Sequence, residues 1–182
     1  MNTEDRIHRH GRSLMLLASL GLAFAAGLGL LTIAMPWLPS GAPDWLNWDI
    51  GGIELHEAMT MTPAGKAMLS LAAGLWTLAY LVPLLCLRRF GQRLYRDEAL
   101  SRPVADAMLW LAHSLPICLA LTFAATLLAF IGAEVGTGGT RHSYRISFAQ
   151  PYLLAIACLG MYSVAHIMRL AAEAADDSRS IV

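Results

Sequence analysis

Residues Ala107 to Ala133 read AMLWLAHSLPICLALTFAATLLAFIGA, without one Asp, Glu, Lys or Arg. A helix rises about 1.5 Å per residue, so this stretch crosses the roughly 30 Å hydrocarbon core of a bilayer with residues to spare. Leu14–Leu38, Ala67–Leu87 and Pro151–Ala172 are built alike, each 21 residues or longer, and Arg169 is the one Arg in the whole set. A water-soluble chain of 182 residues cannot bury four cylinders that are apolar all round. The expected fold is therefore all-α, a polytopic membrane protein built as a four-transmembrane-helix bundle. Composition agrees: 57% of residues are hydrophobic and 14% charged, against roughly 25% charged in soluble chains. The spans leave two outer loops, 39–66 and 134–150, a connection at 88–106 and a tail at 173–182. None of these is long enough for a second domain, so residues 1–182 are expected to form one membrane domain.

Charge decides which way the chain sits. Cytoplasmic flanks of membrane helices collect Lys and Arg. Arg6, Arg9 and Arg12 precede the first span, and Arg88, Arg89, Arg93, Arg96 and Arg102 lie between the second and third. Arg169 and Arg179 end or follow the fourth, which makes ten bases on one side against Lys66, Arg141 and Arg145 on the other. Both termini are expected in the cytoplasm, and for a bacterial source the location is the inner membrane. The outer face is net acidic, with Asp44, Asp49, Glu54, Glu57 and Glu134. Ala23-Phe24-Ala25, after basic residues and an apolar stretch, imitates a signal-peptide cleavage site. The apolar run nonetheless continues through Gly27, Leu31, Ile33 and Trp37, which fits an uncleaved anchor.

The connections carry local signals. Pro39, Gly41, Pro43, Gly51, Gly52 and Pro63 argue against one continuous helix in the first outer loop. Trp37, Trp45 and Trp48 are placed as interfacial anchors, and Glu54–Met61 predicts a short amphipathic segment. If the second span continues as helix beyond Leu87, Arg89, Arg93 and Arg96 share a face. Arginines there meet anionic lipid at about 1 kcal/mol each, although plain positive-inside flanking explains them as well. Ser101 before Arg102-Pro103 reads as a helix cap with Pro in the first turn. Gly136, Gly138 and Gly139 open a short second outer loop, so spans three and four are expected to be antiparallel neighbours. Arg169 and Glu173 form an i, i+4 pair in the less favourable order.

Two segments carry a resemblance. RRFGQRLYRDEALSRPVADAMLWLAHSLP, from Arg88, resembles the region after span two in the bacterial domain-of-unknown-function family 2975. LAIACLGMYSVAHIMRLAAEAADDSRSIV resembles that family's ending, a span closing in a charged helix and a hydrophobic dipeptide. Here those elements are Met168-Arg169, Glu173, Asp176-Asp177 and Ile181-Val182. The resemblance covers about half the chain and leaves the Trp-bearing outer loop without a counterpart. It implies a four-span inner-membrane protein without established enzymatic activity, and relatives encoded beside small helix-turn-helix regulators suggest a regulatory role.

The residues themselves narrow the chemistry. No carboxylate lies inside a span, so the ionisable relay of a proton-coupled transporter is missing. The intramembrane candidates are His113 and His166, at matching depth in spans three and four. Facing each other they would ligate a haem or metal; the plainer reading is hydrogen bonding across helices. Cys118 and Cys158 at mid-depth, and Cys86 near the end of span two, read as small apolar packers rather than a thiol or metal pair. No Cys falls in an outer loop, so no structural disulfide is expected. His56, Glu57, Met59 and Met61 resemble a soft-metal set but match no closed ligand spacing. His8 and His10 beside Arg9 give the tail a pH-tunable charge, which a solvated basic tail explains equally. With no phosphate-cradling Gly loop, no Ser/His/Asp arrangement and no zinc pattern, neither an enzyme nor a bound cofactor is expected.

In span one, Gly21, Ala25 and Gly29 recur every fourth residue and present a smooth strip for close helix packing, within the chain or against a second copy. The expected function is a membrane-embedded interaction or regulatory protein, embedded in the lipid bilayer. Its contacts with a cytoplasmic regulator protein would run through Arg88, Arg89, Arg93, Arg96 and Arg102 and through Arg169, Glu173, Asp176 and Asp177. No direct contact with nucleic acid is expected. Two rivals stand beside it: a small haem- or metal-carrying redox subunit using His113 and His166, and a transporter of a neutral or lipophilic compound.

Overall fold

The four apolar runs are helices, and three of them outgrow their runs at both ends. The computed structural model describes the backbone of residues 3–38, 49–50, 53–96, 101–138 and 149–180. The long helices are α1 (Thr3–Ala34), α3 (Pro63–Arg96), α4 (Arg102–Thr137) and α5 (Ala149–Ser180), with a short α2 (Leu55–Thr60) before α3. Two dipeptide strands, β1 (Asp49–Ile50) and β2 (Ile53–Glu54), pair antiparallel with Asp49 opposite Glu54 and Ile50 opposite Ile53. All four long helices are long and apolar enough to cross a membrane, so the chain is an all-α protein of the multi-pass membrane class. The readings on Arg6, Trp45, Trp48, His56, Arg141, Arg145, Asp176, Arg179 and the terminal dipeptide fall outside the described side chains.

Span one ends earlier than its hydropathy suggests. Pro36 lacks the N–H that would bond the Thr32 carbonyl, so α1 stops at Ala34 and tightens into a 3₁₀ turn, Met35–Trp37.

The burial pattern is that of a protein solvated by lipid. Among the described residues, twelve of the seventeen buried apolar ones are alanine, whereas Phe24, Leu30, Phe123 and Leu159 are each about two-thirds exposed. Lipid tails are as apolar as leucine, so helices gain little by hiding large side chains from them. They associate instead where small residues allow close contact.

Contacts divide the chain into two compact units. The first comprises Met1–Ala23, Leu81–Leu119 and Phe148–Val182; the second comprises Phe24–Tyr80 and Ala120–Ser147. In the first unit, α1 and α3 touch backbone to backbone at Gly11 and Gly91, and Gly21 lies against the Leu84 methyls. In the second unit, Gly29 faces Thr77 so closely that a Cβ there would overlap its side chain, and Gly65 of α3 meets Gly132 and Gly136 of α4. Ala25 is half-buried. Gly21 and Gly29 therefore each pack on α3, within their own units.

The second unit also shows how helix ends are satisfied without water. Thr62 precedes α3, whose first residue is Pro63. Its Oγ1 accepts the Gly65 N–H at 3.3 Å, the bond of an N-cap. The Thr62 amide donates to the Gly136 carbonyl at 3.3 Å, and its hydroxyl donates to the Val135 carbonyl at 3.4 Å. One residue thus serves the first turn of α3 and the last turn of α4, which are orphan groups by construction. Beyond that turn Gly138 takes φ 70°, the left-handed position that commonly ends a helix. At the end of α1, the Ser70 hydroxyl donates to the Ile33 carbonyl at 2.9 Å and accepts the Trp37 indole N–H at 2.9 Å. α2 packs on the Met35–Trp37 turn, and Ala58 and Met61 join Leu69 and Ala133 in a small core flanked by Trp76. Thr62→Ala is expected to lower stability by about 1 kcal/mol, read as a reduced thermal midpoint in detergent, whereas Thr62→Ser retains the cap.

Candidate functional site

The polar residues of the first unit gather at the junction of α3 and α4. α3 does not stop where its apolar run ends at Leu87 but continues helical to Arg96, so Arg89, Arg93 and Arg96 fall on one side. α4 then starts at Arg102 with Pro103 in its first turn, and the amides of Val104 and Ala105 both donate to the Ser101 carbonyl at 3.1 Å. The expected cap needs a correction. The Ser101 hydroxyl is buried without a hydrogen-bond partner among the described residues, so Ser101 starts the helix through its carbonyl rather than its side chain.

Between these helices lies a groove of about 650 Å³. α3 contributes Cys86, Arg89, Gln92, Arg93 and Arg96; α4 contributes Pro103, Asp106, Ala107 and Trp110. A second hollow of about 400 Å³ lies between α4 and α5, where Asp106 and Leu109 face Tyr162, His166 and Arg169. Asp106 lines both. Sequence reading passed over this residue because it sits one position before the apolar run. The signal was nonetheless present: Asp106, Trp110 and His113 fall at i, i+4 and i+7, a stripe on one helix face. Arg88 and Arg102 are exposed at the same ends. On α5, Arg169 Nε donates to Glu173 Oε1 at 3.3 Å, with both side chains about half exposed. Such a pair contributes little to stability.

The amino-terminal helix reaches this region as well. His8 Nδ1–H donates to the Tyr95 carbonyl at 2.6 Å, and the two rings meet edge to face at 6.1 Å. Tyr95 lies in the last turn of α3, where carbonyls have no partner of their own. A histidine at a helix C-terminus also suits the negative end of the helix dipole. His8 is therefore a cap, and the carbonyl fixes its proton on Nδ1.

The intramembrane histidines keep different company. His113 is exposed, its Nδ1–H donates to the Leu109 carbonyl at 2.8 Å, and its ring stands edge-on to Tyr162 with centroids 5.1 Å apart. His166 lines the α4–α5 hollow, which His113 does not. No group of three or more His, Cys, Asp or Glu side chains is placed to hold a metal among the described residues.

Pro116 explains much of what surrounds His113. Inside α4 it removes the N–H that would bond the Ala112 carbonyl. The Cys158 thiol of α5 points at that carbonyl, with sulfur at 3.9 Å, a weak donor. The Ser114 hydroxyl donates to the Leu111 carbonyl at 2.6 Å. The Cys158 thiol is thus the side chain that faces the carbonyl left by the membrane proline. Cys86, Cys118 and Cys158 take part in no disulfide, and each is half-buried.

The fold and this site define a class: a four-helix membrane protein with an arginine-lined groove at one end of its second and third spans. No protein-family model matches the chain, and no curated protein or solved structure is significantly similar to it.

Proposed function

We propose that the chain is a membrane-embedded interaction or regulatory protein, with no catalysis of its own, residing in a bacterial inner membrane with both termini in the cytoplasm. Its working surface is the polar end of the first unit: Arg88, Arg89, Arg93, Arg96 and Arg102 around the α3–α4 junction, and Arg169, Glu173 and Asp177 on α5. One observation carries the reading. α3 extends nine residues beyond its apolar run as ordered helix, and that extension presents three arginines along a groove rather than a frayed flank. The ten-to-three distribution of basic residues supports the cytoplasmic assignment. Membership of family 2975 is proposed on the two resembling segments alone.

The expected partner is a soluble protein with an acidic face. Photo-crosslinkers at Gln92 and Glu173 should capture the same soluble protein, and the adduct should weaken as salt rises. Neutralising Arg89, Arg93 and Arg96 together with removal of residues 173–182 should abolish capture. Undiminished capture after both changes contradicts the surface assignment.

A further inference from the structure

We propose that the α3–α4 groove binds one anionic phospholipid. Its phosphate lies among Arg89, Arg93 and Arg96, and its acyl chains run along Cys86, Ala107 and Trp110.

The residues along the groove are ordered by polarity. On α3 the lining runs Cys86, Arg89, Gln92, Arg93, Arg96, from the end of the apolar run outward. On α4, which returns in the opposite direction, it runs Trp110, Ala107, Asp106, Pro103. Both walls change from apolar to charged in the same direction. The change falls where the hydrophobic runs end, at Leu87 and Ala107. A phospholipid has the same gradient, from headgroup to hydrocarbon. The volume of about 650 Å³ suits a headgroup and its first methylenes, within the roughly 300–1,000 Å³ usual for small-ligand sites.

Charge selects the headgroup. Among the described lining residues, the Arg89 and Arg96 guanidinium groups stand against one carboxylate, Asp106, so a net negative ligand is favoured over a zwitterionic one. Planar guanidinium forks match phosphate oxygens geometrically, and Gln92 adds a neutral donor. Two alternative occupants fit less well. Free phosphate leaves the apolar end uncovered, where Trp110 is 69% exposed at the depth at which an indole prefers lipid contact. An acidic peptide reaching Cys86 would carry unpaired backbone groups into hydrocarbon.

The lipid site shares Arg89, Arg93 and Arg96 with the proposed partner surface, and it holds whichever face of the membrane the groove occupies. Glu173 and Asp177 are not among the described residues that line the groove, so removal of residues 173–182 tests the partner separately from the lipid.

The test uses the purified full-length chain, delipidated in mild detergent and titrated with dioctanoyl phosphatidylglycerol or dioctanoyl phosphatidylcholine, with binding read by native mass spectrometry. The expected result is one phosphatidylglycerol retained in preference to phosphatidylcholine. Arg89→Gln with Arg96→Gln should weaken it about 25-fold, at about fivefold per arginine. Asp106→Asn should tighten it several-fold, a gain that misfolding cannot produce. The chain lacking residues 173–182 should bind as the full chain does. In vesicles, brominated phosphatidylglycerol should quench a fluorescence component that Trp110→Phe removes. Equal retention of the two lipids, or an Asp106→Asn variant that binds less tightly, overturns the proposal. Displacement of the lipid by millimolar inorganic phosphate also overturns it, by showing a site for free phosphate.

Discussion

Leu159→Asp is expected to prevent stable insertion of α5. Leu159 lies near the middle of the Pro151–Ala172 run and is 69% exposed, with Ile156 and Ile167 exposed beside it. On a water-facing helix such a substitution falls within about 0.5 kcal/mol of neutral. In lipid, Asp at a span's centre costs about 2.5–3.5 kcal/mol and the lost Leu adds a few tenths more. The two solvents therefore predict effects at least about sixfold apart in free energy. α5 is the sensitive place to look, because its apolar window has the lowest mean hydropathy of the four spans, 1.7. The measurement is the side on which a reporter fused after residue 180 appears. It should match the amino terminus in the parent and move to the opposite side in a large fraction of Leu159→Asp molecules. Leu159→Phe, apolar and of similar reach, should insert as the parent does.

Gly91→Ile and Gly11→Ile should each be strongly destabilising, because each glycine lies against the backbone of the other helix. A Cβ on Gly91 would lie 2.9 Å from the Met15 amide nitrogen and 3.0 Å from the Gly11 carbonyl oxygen. One on Gly11 would lie 2.8 Å from the Tyr95 amide nitrogen and 3.0 Å from the Gly91 carbonyl oxygen. These neighbours are backbone, which cannot rotate aside, so the helices must separate. Overpacking of this kind costs about 1–3 kcal/mol, and separation also breaks the His8–Tyr95 bond. The two sites share one contact, so the double variant should cost less than the sum. Gly27 and Gly160 are the controls, since a Cβ at either meets nothing within 4 Å. Gly→Ala there should leave stability unchanged or raise it by up to about 1 kcal/mol, the difference in helix propensity. Thermal unfolding in detergent, followed by circular dichroism, reads all five variants. A Gly91→Ile chain as stable as Gly27→Ala would mean that α1 and α3 do not meet at Gly91.

The spans were legible because bilayer thickness imposes a length and an apolar composition on each helix at once. Pro103 marks a helix start by a rule that needs no tertiary information, whereas Pro63, read as a turn former, opens α3, and Pro36 marks an end that hydropathy alone overran. What composition hides is pairing. Gly21 and Gly29 were visible because their spacing repeats within one helix. The contact of Gly11 with Gly91, and that of Gly65 with Gly132 and Gly136, joins residues from different helices, and no periodicity links them. The same holds for Cys158 and the carbonyl that Pro116 leaves unbonded, and for His8 at the end of α3. Both look like stray polar residues until the neighbouring helix is in place. Asp106 was readable as part of a stripe with Trp110 and His113, but a span-by-span reading stops at the border on which it sits.

Reporter fusions placed after residues 38, 96, 138 and 180 measure the central claim most directly, because they ask whether the chain crosses a bilayer four times and which end faces in. The account predicts outside, inside, outside, inside, with the chain staying in the membrane pellet after alkaline extraction. A reporter at residue 96 on the outer side, or a chain recovered in the alkaline supernatant, would contradict it.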